Sequence, residues 1–403
     1  MSYPLGAAVT ADQLTEDPHP VLRELRAAEP VSWLPALGGW LVTRRDLAEQ
    51  VLRDPAGFTV DDPRFTTAQV VGPSMLSLDG AEHRRHREPF ARALRRGDLS
   101  SGLAEFTTIE ATRLVTALAS GGPGRPGRPG RAELRRGLAG PLAVAVMAQV
   151  LGLGDIDPAV LLSWYDAIVA GVSELSAGPG EPGRQVPAGA VAAFGELRDC
   201  LAGVIEAPAG SSLLAAVATT AGLSVDEIVS NAAVMLFGGI ETTEGMICNA
   251  VWHLLSSPAQ LVALAADRSL AGGAIDESLR LEPAAAVVDR YATADVVLGP
   301  AQVRAGDLVT VSLAGANRDP ETFPDPDRFD LRRGNARQNL GFALGPHFCV
   351  GAQLARMETQ AALGALLDQL PGLALDPARP TAPRGLVFRK PPALHVLWAE
   401  ASP

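Results

Sequence analysis

The sequence predicts a mainly α protein with small β sheets, and three observations carry that prediction. Apolar residues recur at helical spacing over residues 82–118 and again over 132–151. Ser224-Val-Asp-Glu227 is a capping-box signature that opens the longest helical run, which continues to residue 255 and is stopped by Ser256-Ser-Pro258. Beyond residue 283 the composition turns to short runs rich in Val, Thr and Gly, the mark of small sheets.

Taken in order, residues 20–52 read as a short helix, two strand-like runs, Val31-Ser-Trp33 and Trp40-Leu-Val-Thr43, around Gly38-Gly39, and a helix over 46–52. This is a small hairpin at the edge of the fold. Residues 58–75 hold Pro63, Gly72 and Pro73 without periodicity, and read as a long loop that touches substrate. A Pro/Gly stretch with three Arg, GGPGRPGRPGR, separates the first two long helical runs and cannot continue either. A second breaker, residues 178–183, divides helices over 158–175 and 189–205, a hinged pair suited to a lid. The central helix carries Gly238 and Gly239 in its middle, where each Gly costs about 1 kcal/mol relative to Ala, so something there must need access to the backbone. Strands are expected over 296–298, 308–312, 385–388 and 394–398, and a helix over 352–370.

At 403 residues, size alone allows two domains or one large helical assembly. A net charge of −11 argues against nucleic acid as a partner, and three cysteines give no disulfide framework. Apolar runs fall short of a membrane span, and the N-terminus has neither a basic region nor an apolar block, so the expectation is a soluble, cytoplasmic enzyme with no membrane partner. Arg84, Arg85, Arg92, Arg95 and Arg96 cluster in this acidic chain, as a solvated helix face or as a docking patch for an acidic partner.

Chemistry concentrates at Phe342-Ala-Leu-Gly345-Pro-His347-Phe-Cys349-Val-Gly351. A Gly-rich loop offers N–H groups to a sulfur, and a following helix offers its positive end, both of which favour a thiolate. Zinc and iron–sulfur sites recruit several Cys or His at short spacing, whereas Cys200 and Cys248 are remote, so a lone thiolate points to haem; a plain buried cysteine is the alternative.

This segment resembles the cysteine-ligand loop of the cytochrome P-450 family, matching six of seven fixed positions, with Ala343 where the family usually has Gly. Gly238-Gly-Ile-Glu241-Thr242-Thr243 is similar to the family's oxygen-activation segment, with Gly238 for Ala. The resemblance implies that Cys349 ligates iron, that Thr242 hydrogen-bonds bound dioxygen and that Glu241 helps deliver protons; it implies support from Phe342 and Gly351 in the ligand loop. His83 and Arg87, one helical turn apart, with Arg290 and His347, match the family's haem-propionate donors. A His83–His86 metal pair is the competing reading, without a third ligand nearby; His19, His253 and His395 read as structural. Glu277, Arg280 and Arg328 resemble the family's internal charge triad, which serves folding.

By that resemblance the chain is a single haem domain over 1–403, a triangular helical assembly around haem b, with its helical core at about 82–283 and 352–370. No fused reductase is expected. Dioxygen would be the co-substrate, with electrons ultimately from NAD(P)H through a ferredoxin reductase and a small acidic ferredoxin that suits the arginine cluster. The implied activity is hydroxylation or epoxidation of a hydrophobic small molecule in specialised metabolism. Oxidative coupling, peroxide-driven oxidation, and a non-enzymatic haem sensor or carrier are the alternatives. Apolar segments 70–76, 234–238, 284–288 and 387–388 would line the pocket.

Overall fold

The computed structural model describes residues 3–95, 97–121, 130–176, 185–207, 212–220 and 222–399. The Pro/Gly stretch over 122–129, the breaker at 178–183 and Arg96 lie outside them. The chain opens with α1 (Pro4–Ala8), α2 (Ala11–Glu16) and α3 (His19–Ala28), followed by the expected hairpin, β1 (Val31–Leu34) and β2 (Gly39–Val42), and α4 (Arg45–Arg53). Residues 58–75 are not one loop: they contain β3 (Phe58–Thr59) and α5 (Thr66–Val71), each too short to set a period in the sequence. The long α6 (Gly80–Leu94) and α7 (Gly97–Gly121) follow. Residues 132–139, expected as helix, form strand β4 (Gly130–Glu133) and a π-helical turn, Arg135–Ala139, ahead of α8 (Gly140–Leu151).

Next come α9 (Pro158–Ser176), α10 (Ala188–Glu206), α11 (Leu213–Ala218), α12 (Val225–Leu255), α13 (Pro258–Ala266) and α14 (Ala271–Leu281). Strands β5 (Val287–Ala292), β6 (Val296–Leu298), β7 (Ala301–Val303) and β8 (Leu308–Ser312) lead to α15 (Leu313–Ala316). The chain closes with α16 (Ala352–Gln369), β9 (Ala374–Leu375) and β10 (His395–Trp398). Residues 385–388 form no strand; a single bridge joins Phe388 to Ala285.

The larger sheet runs β1-β2-β8-β5-β3 and is antiparallel except where β2 meets β8. Pleat alternation puts Val288, Val309 and Val311 on one face, against Val51, Leu52 and Phe58. The smaller sheet β4-β10-β9 explains the misread helix: β4 gains a full antiparallel partner in β10, with Ala132 opposite Val396, and that pairing outweighs local periodicity. No single helix among the described residues is long and apolar enough to cross a membrane.

Helix α12 runs through the helical body, packed on α8, α10, α14 and α16. Its start is built as the sequence predicts: Ser224 Oγ accepts from the Glu227 N–H (3.3 Å) and Glu227 Oε2 from the Ser224 N–H (2.7 Å). The glycine pair does not loosen it, since the α-helix is continuous. Gly239 allows close packing: a Cβ there would lie 2.4 Å from Met147 Sδ on α8. At Gly238 a Cβ would meet no atom within 4 Å, so this glycine keeps one face of the helix low.

The buried charge cluster holds one correction. Glu277 takes Arg280 at 2.7 and 2.9 Å, but its second cation is Arg333 (2.9 Å) and not Arg328, whose exposed side chain pairs with Asp330 at 3.2 Å. Arg328 contributes its backbone carbonyl, which accepts from both Arg280 and Arg333. Several arginines follow one another here, and only the path of the loop decides which one reaches inward.

His253 is structural as expected: Nδ1 lies 2.9 Å from Ser278 Oγ and the ring stacks on Phe329 at 5.2 Å. Burial pushes its pKa down to about 3. The unfolded chain therefore takes up a proton near pH 6.5 that the folded chain refuses until about pH 3, so this residue erodes stability as pH falls through that window. In denaturant titrations, His253→Phe is expected to lose about 2 kcal/mol less than wild type between pH 7 and pH 5. Parallel pH dependence in the two proteins would show that the ring is protonated at no extra cost.

Candidate active site

The cysteine loop sits between α15 and α16. Leu340 N–H donates to Asn317 Oδ1 (2.6 Å), and the Cys349 N–H donates to the Phe342 carbonyl (2.9 Å), closing the loop around the sulfur. Gly345 has φ 73, and a Cβ on it would lie 2.4 Å from the Leu52 carbonyl oxygen, so no other residue fits. Ala343 has φ 57, the left-handed region, which explains the family preference for Gly at this position and costs this chain roughly 1 kcal/mol. Gly351 is the N-cap of α16, and its N–H points to Cys349. Phe342 is held under Arg356, whose guanidinium lies 4.5 Å from the ring centre and also pairs with Asp276 at 2.9 Å.

The sulfur's environment is mixed. Burial pushes the Cys349 thiol up, while the Gly351 N–H and the charges of Arg87 and Arg356 pull it back, and burial prevails. The loop and helix end expected to favour a thiolate are present, but they do not suffice alone; a coordinating metal cation deprotonates such a thiol outright.

The other predicted binding residues gather beside this loop. His83 and His347 lie ring to ring with centroids 4.3 Å apart, and Arg87 on α6 donates to the Phe348 carbonyl (2.5 Å). Buried Arg290 on β5 donates only to the Asp289 carbonyl (2.7 Å). Burial, with His347 and Arg87 close by, drops the His83 pKa to about 4, so the ring is neutral at neutral pH. Its Nε2 is buried without a partner. An unpartnered buried imidazole nitrogen beside Arg87 and a second histidine is a donor set for an anionic group, and it fits a propionate of haem.

Sequence reasoning missed Asp79. It accepts from Thr59 Oγ1 (2.7 Å) and the Val60 N–H (2.8 Å), and it lies 2.9 Å from His347 Nε2, fixing that ring. Burial works to raise its pKa, but these three bonds outweigh it and hold the carboxyl below its usual range. Its place just before α6 was the only signal. His86 does not join His83 as a metal pair: its Nδ1 bonds Asn231 Nδ2 at 2.9 Å, and no metal-ligating cluster exists among the described residues.

Glu241 and Thr242 face different partners. Thr242 Oγ1 donates to the Gly238 carbonyl (2.5 Å), while Glu241 is buried against Lys390 (2.6 Å) and the Tyr165 hydroxyl. Of the expected pocket segments, 234–238 touches 387–388, which also bonds 284–288, while 70–76 reaches the same helix one turn earlier, at Asn231. Met75 N–H donates to Asn231 Oδ1 (2.7 Å), Phe237 meets Phe388 edge to face at 5.6 Å, and Ala286 N–H donates to the Val387 carbonyl (2.8 Å). The arginine cluster on α6 is largely satisfied internally: Arg85 pairs with Glu82 and Glu227, and Arg92 and Arg95 both reach Glu88.

Fold and site together define a helical protein that offers one cysteine sulfur, with His83, Arg87 and His347 beside it, to a cofactor. The family model "Cytochrome P450" matches residues 210–394. The cytochrome P450 monooxygenase PikC of Streptomyces venezuelae is 36% identical over 98% of this chain and 93% of its own length. The mycinamicin IV hydroxylase/epoxidase of Micromonospora griseorubida is 33% identical over 93% and 94%. Among solved structures, that of CalO2 superposes with a TM-score of 0.84 at 28% identity, covering 97% of this chain and 98% of the other. This chain belongs to the cytochrome P450 family, and it is a monooxygenase with haem as its cofactor.

Proposed function

We propose that this enzyme hydroxylates or epoxidises a hydrophobic small molecule in specialised metabolism. The observation that carries the reading is the convergence of His83, Arg87 and His347 on the Cys349 loop, with the His83 nitrogen buried and unpartnered and Arg290 within electrostatic reach of Asp79, which holds His347. Cys349 would hold the iron, those four residues would hold the propionates, and Phe342 and Gly351 would shape the ligand loop. Haem held through the Cys349 sulfur would supply the dioxygen-cleaving chemistry that oxygen insertion requires. One oxygen atom enters the product and the other leaves as water, with two electrons and two protons consumed.

The chain's own contribution is to admit substrate, exclude water and move protons. Val234, Met235, Phe237 and Phe388 form an apolar cluster near Gly238 that would suit a hydrophobic substrate; PikC and the mycinamicin enzyme, both named as monooxygenases or hydroxylases, support the reaction type. Thr242 would donate from Oγ1 toward dioxygen, and Glu241 would resupply the proton. Electrons would come from NAD(P)H through a ferredoxin reductase and a ferredoxin. With most of the arginine cluster already paired, docking of that partner would rest on shape more than on free positive charge.

Turnover under isotopically labelled dioxygen tests the reaction: one labelled atom per product molecule is expected, and unlabelled product would overturn it. Thr242→Ala is expected to retain the haem spectrum while product per reducing equivalent falls about ten-fold and peroxide rises to match. Unchanged coupling in that variant would remove Thr242 from the proton path.

A further inference from the structure

Of the 34 basic residues in this chain, one is a lysine: Lys390. Everywhere else a cation is needed, including the buried pairs at Glu277 and Glu282, the chain uses arginine. Lys390 is itself buried, its Nζ forming ion pairs by distance with Glu241 Oε1 (2.6 Å) and Glu244 Oε1 (2.8 Å), neither of them aligned as a hydrogen bond. Glu244 Oε1 also takes Arg135 Nε at 2.5 Å, and Arg135, one fifth exposed, donates to the Pro392 carbonyl (2.9 Å). The line Glu241, Lys390, Glu244, Arg135 thus runs from the residue preceding Thr242 to the surface, through four groups whose formal charges cancel.

An arginine fork would hold two carboxylates better than an ammonium does, but a guanidinium does not give up its proton in proteins, whereas a buried lysine can. Glu244 also keeps Oε2 buried and unpartnered, an acceptor not used by the ion pairs. The other charged or titratable groups near the ammonium are Tyr165 on α9, Cys248 on α12 and Glu133 on β4, while Arg389 turns away to Glu282 at 2.6 Å.

We propose that Lys390 is a positioning residue that supplies protons to Glu241, and through it to Thr242. A proton leaves Nζ for Glu241 Oε1, giving an amine and a carboxylic acid; Glu241 passes that proton on toward Thr242. Glu244 accepts a replacement proton from solvent at its free Oε2 and returns it to the amine, restoring the starting charges, while Arg135 orients Glu244 without carrying the proton. This rests on the monooxygenase reading above, in which Glu241 serves Thr242.

Holoenzymes carrying Lys390→Arg and Lys390→Met provide the test. Both are expected to keep the thiolate-type spectrum of the carbon monoxide-bound ferrous protein. Both should lose about ten-fold in product per reducing equivalent, with a larger solvent deuterium isotope effect and a flattened pH profile. Full coupling and a wild-type isotope effect in Lys390→Arg would overturn the relay, because charge alone would then suffice. A wild-type protein without the thiolate spectrum would instead overturn the monooxygenase reading. Independently of turnover, protein labelled with 13C at lysine Cε has a single lysine signal. Glu241→Gln should shift that signal, and an unmoved signal would overturn the pairing on which the proposal stands.

Discussion

Cys349→Ala is expected to abolish the thiolate-type spectrum and to lower product formation more than about a thousand-fold, over 4 kcal/mol of lost transition-state stabilisation. No other cysteine can take over. Cys248 is buried inside α12, where burial pushes its thiol far up, and Cys200 stands on α10, away from the loop. His347 is tied to Asp79 at 2.9 Å, so replacing sulfur by imidazole would break a bond that fixes the donor ring. The loop itself should survive, because its closing bonds run through the Phe342 carbonyl and Asn317 and not through sulfur. A folded, colourless or weakly coloured variant is the expected outcome, and a retained thiolate band would mean that another residue holds the iron.

Glu277→Ala is expected to cost about 4 kcal/mol in denaturant titrations, more than Arg280→Ala, and Arg333→Ala least. Removing Glu277 leaves the wholly buried Arg280 with only the carbonyls of Asn317, Pro326 and Arg328. Removing Arg280 leaves Glu277 still paired with Arg333 and the Asp330 N–H (3.1 Å), so its charge is not orphaned. The damage should spread to the site, since Arg280 grips the Asn317 carbonyl and the Asn317 side chain anchors Leu340 at the foot of the cysteine loop. Loss of cofactor at lower denaturant concentration than in wild type is the accompanying signature. The reverse order of the three variants would show that the arginines and not the carboxylate organise the cluster.

What the sequence revealed and what it hid divide along physical lines. Helices α12 and α16 and the cysteine loop were legible because capping, periodicity and glycine placement are local and strong there. Strand β5 escaped because its pairing with β3 and β8 is set by residues far away in the chain. The same holds for β4, whose partner β10 lies at the opposite end of the sequence. Of the expected donor ring, His83, Arg87 and His347 lie beside the loop, but the carboxylate that orients His347, Asp79, carries no signature beyond preceding a helix. Arg333 in place of Arg328 is a register that only the path of a loop decides. Glu241 was placed beside Thr242 by adjacency in sequence; on an α-helix, consecutive side chains point about 100° apart, which is why the two groups reach different partners.

The single buried lysine also turns the chain into its own folding clock. An endoprotease that cuts on the N-terminal side of lysine has one target bond in all 403 residues, Arg389–Lys390, and in the folded molecule that bond sits in a turn closed by two backbone bonds between Lys390 and Arg384. Hydrolysis there would count openings of the C-terminal segment, local or global, so the cutting rate reads how often that turn comes apart.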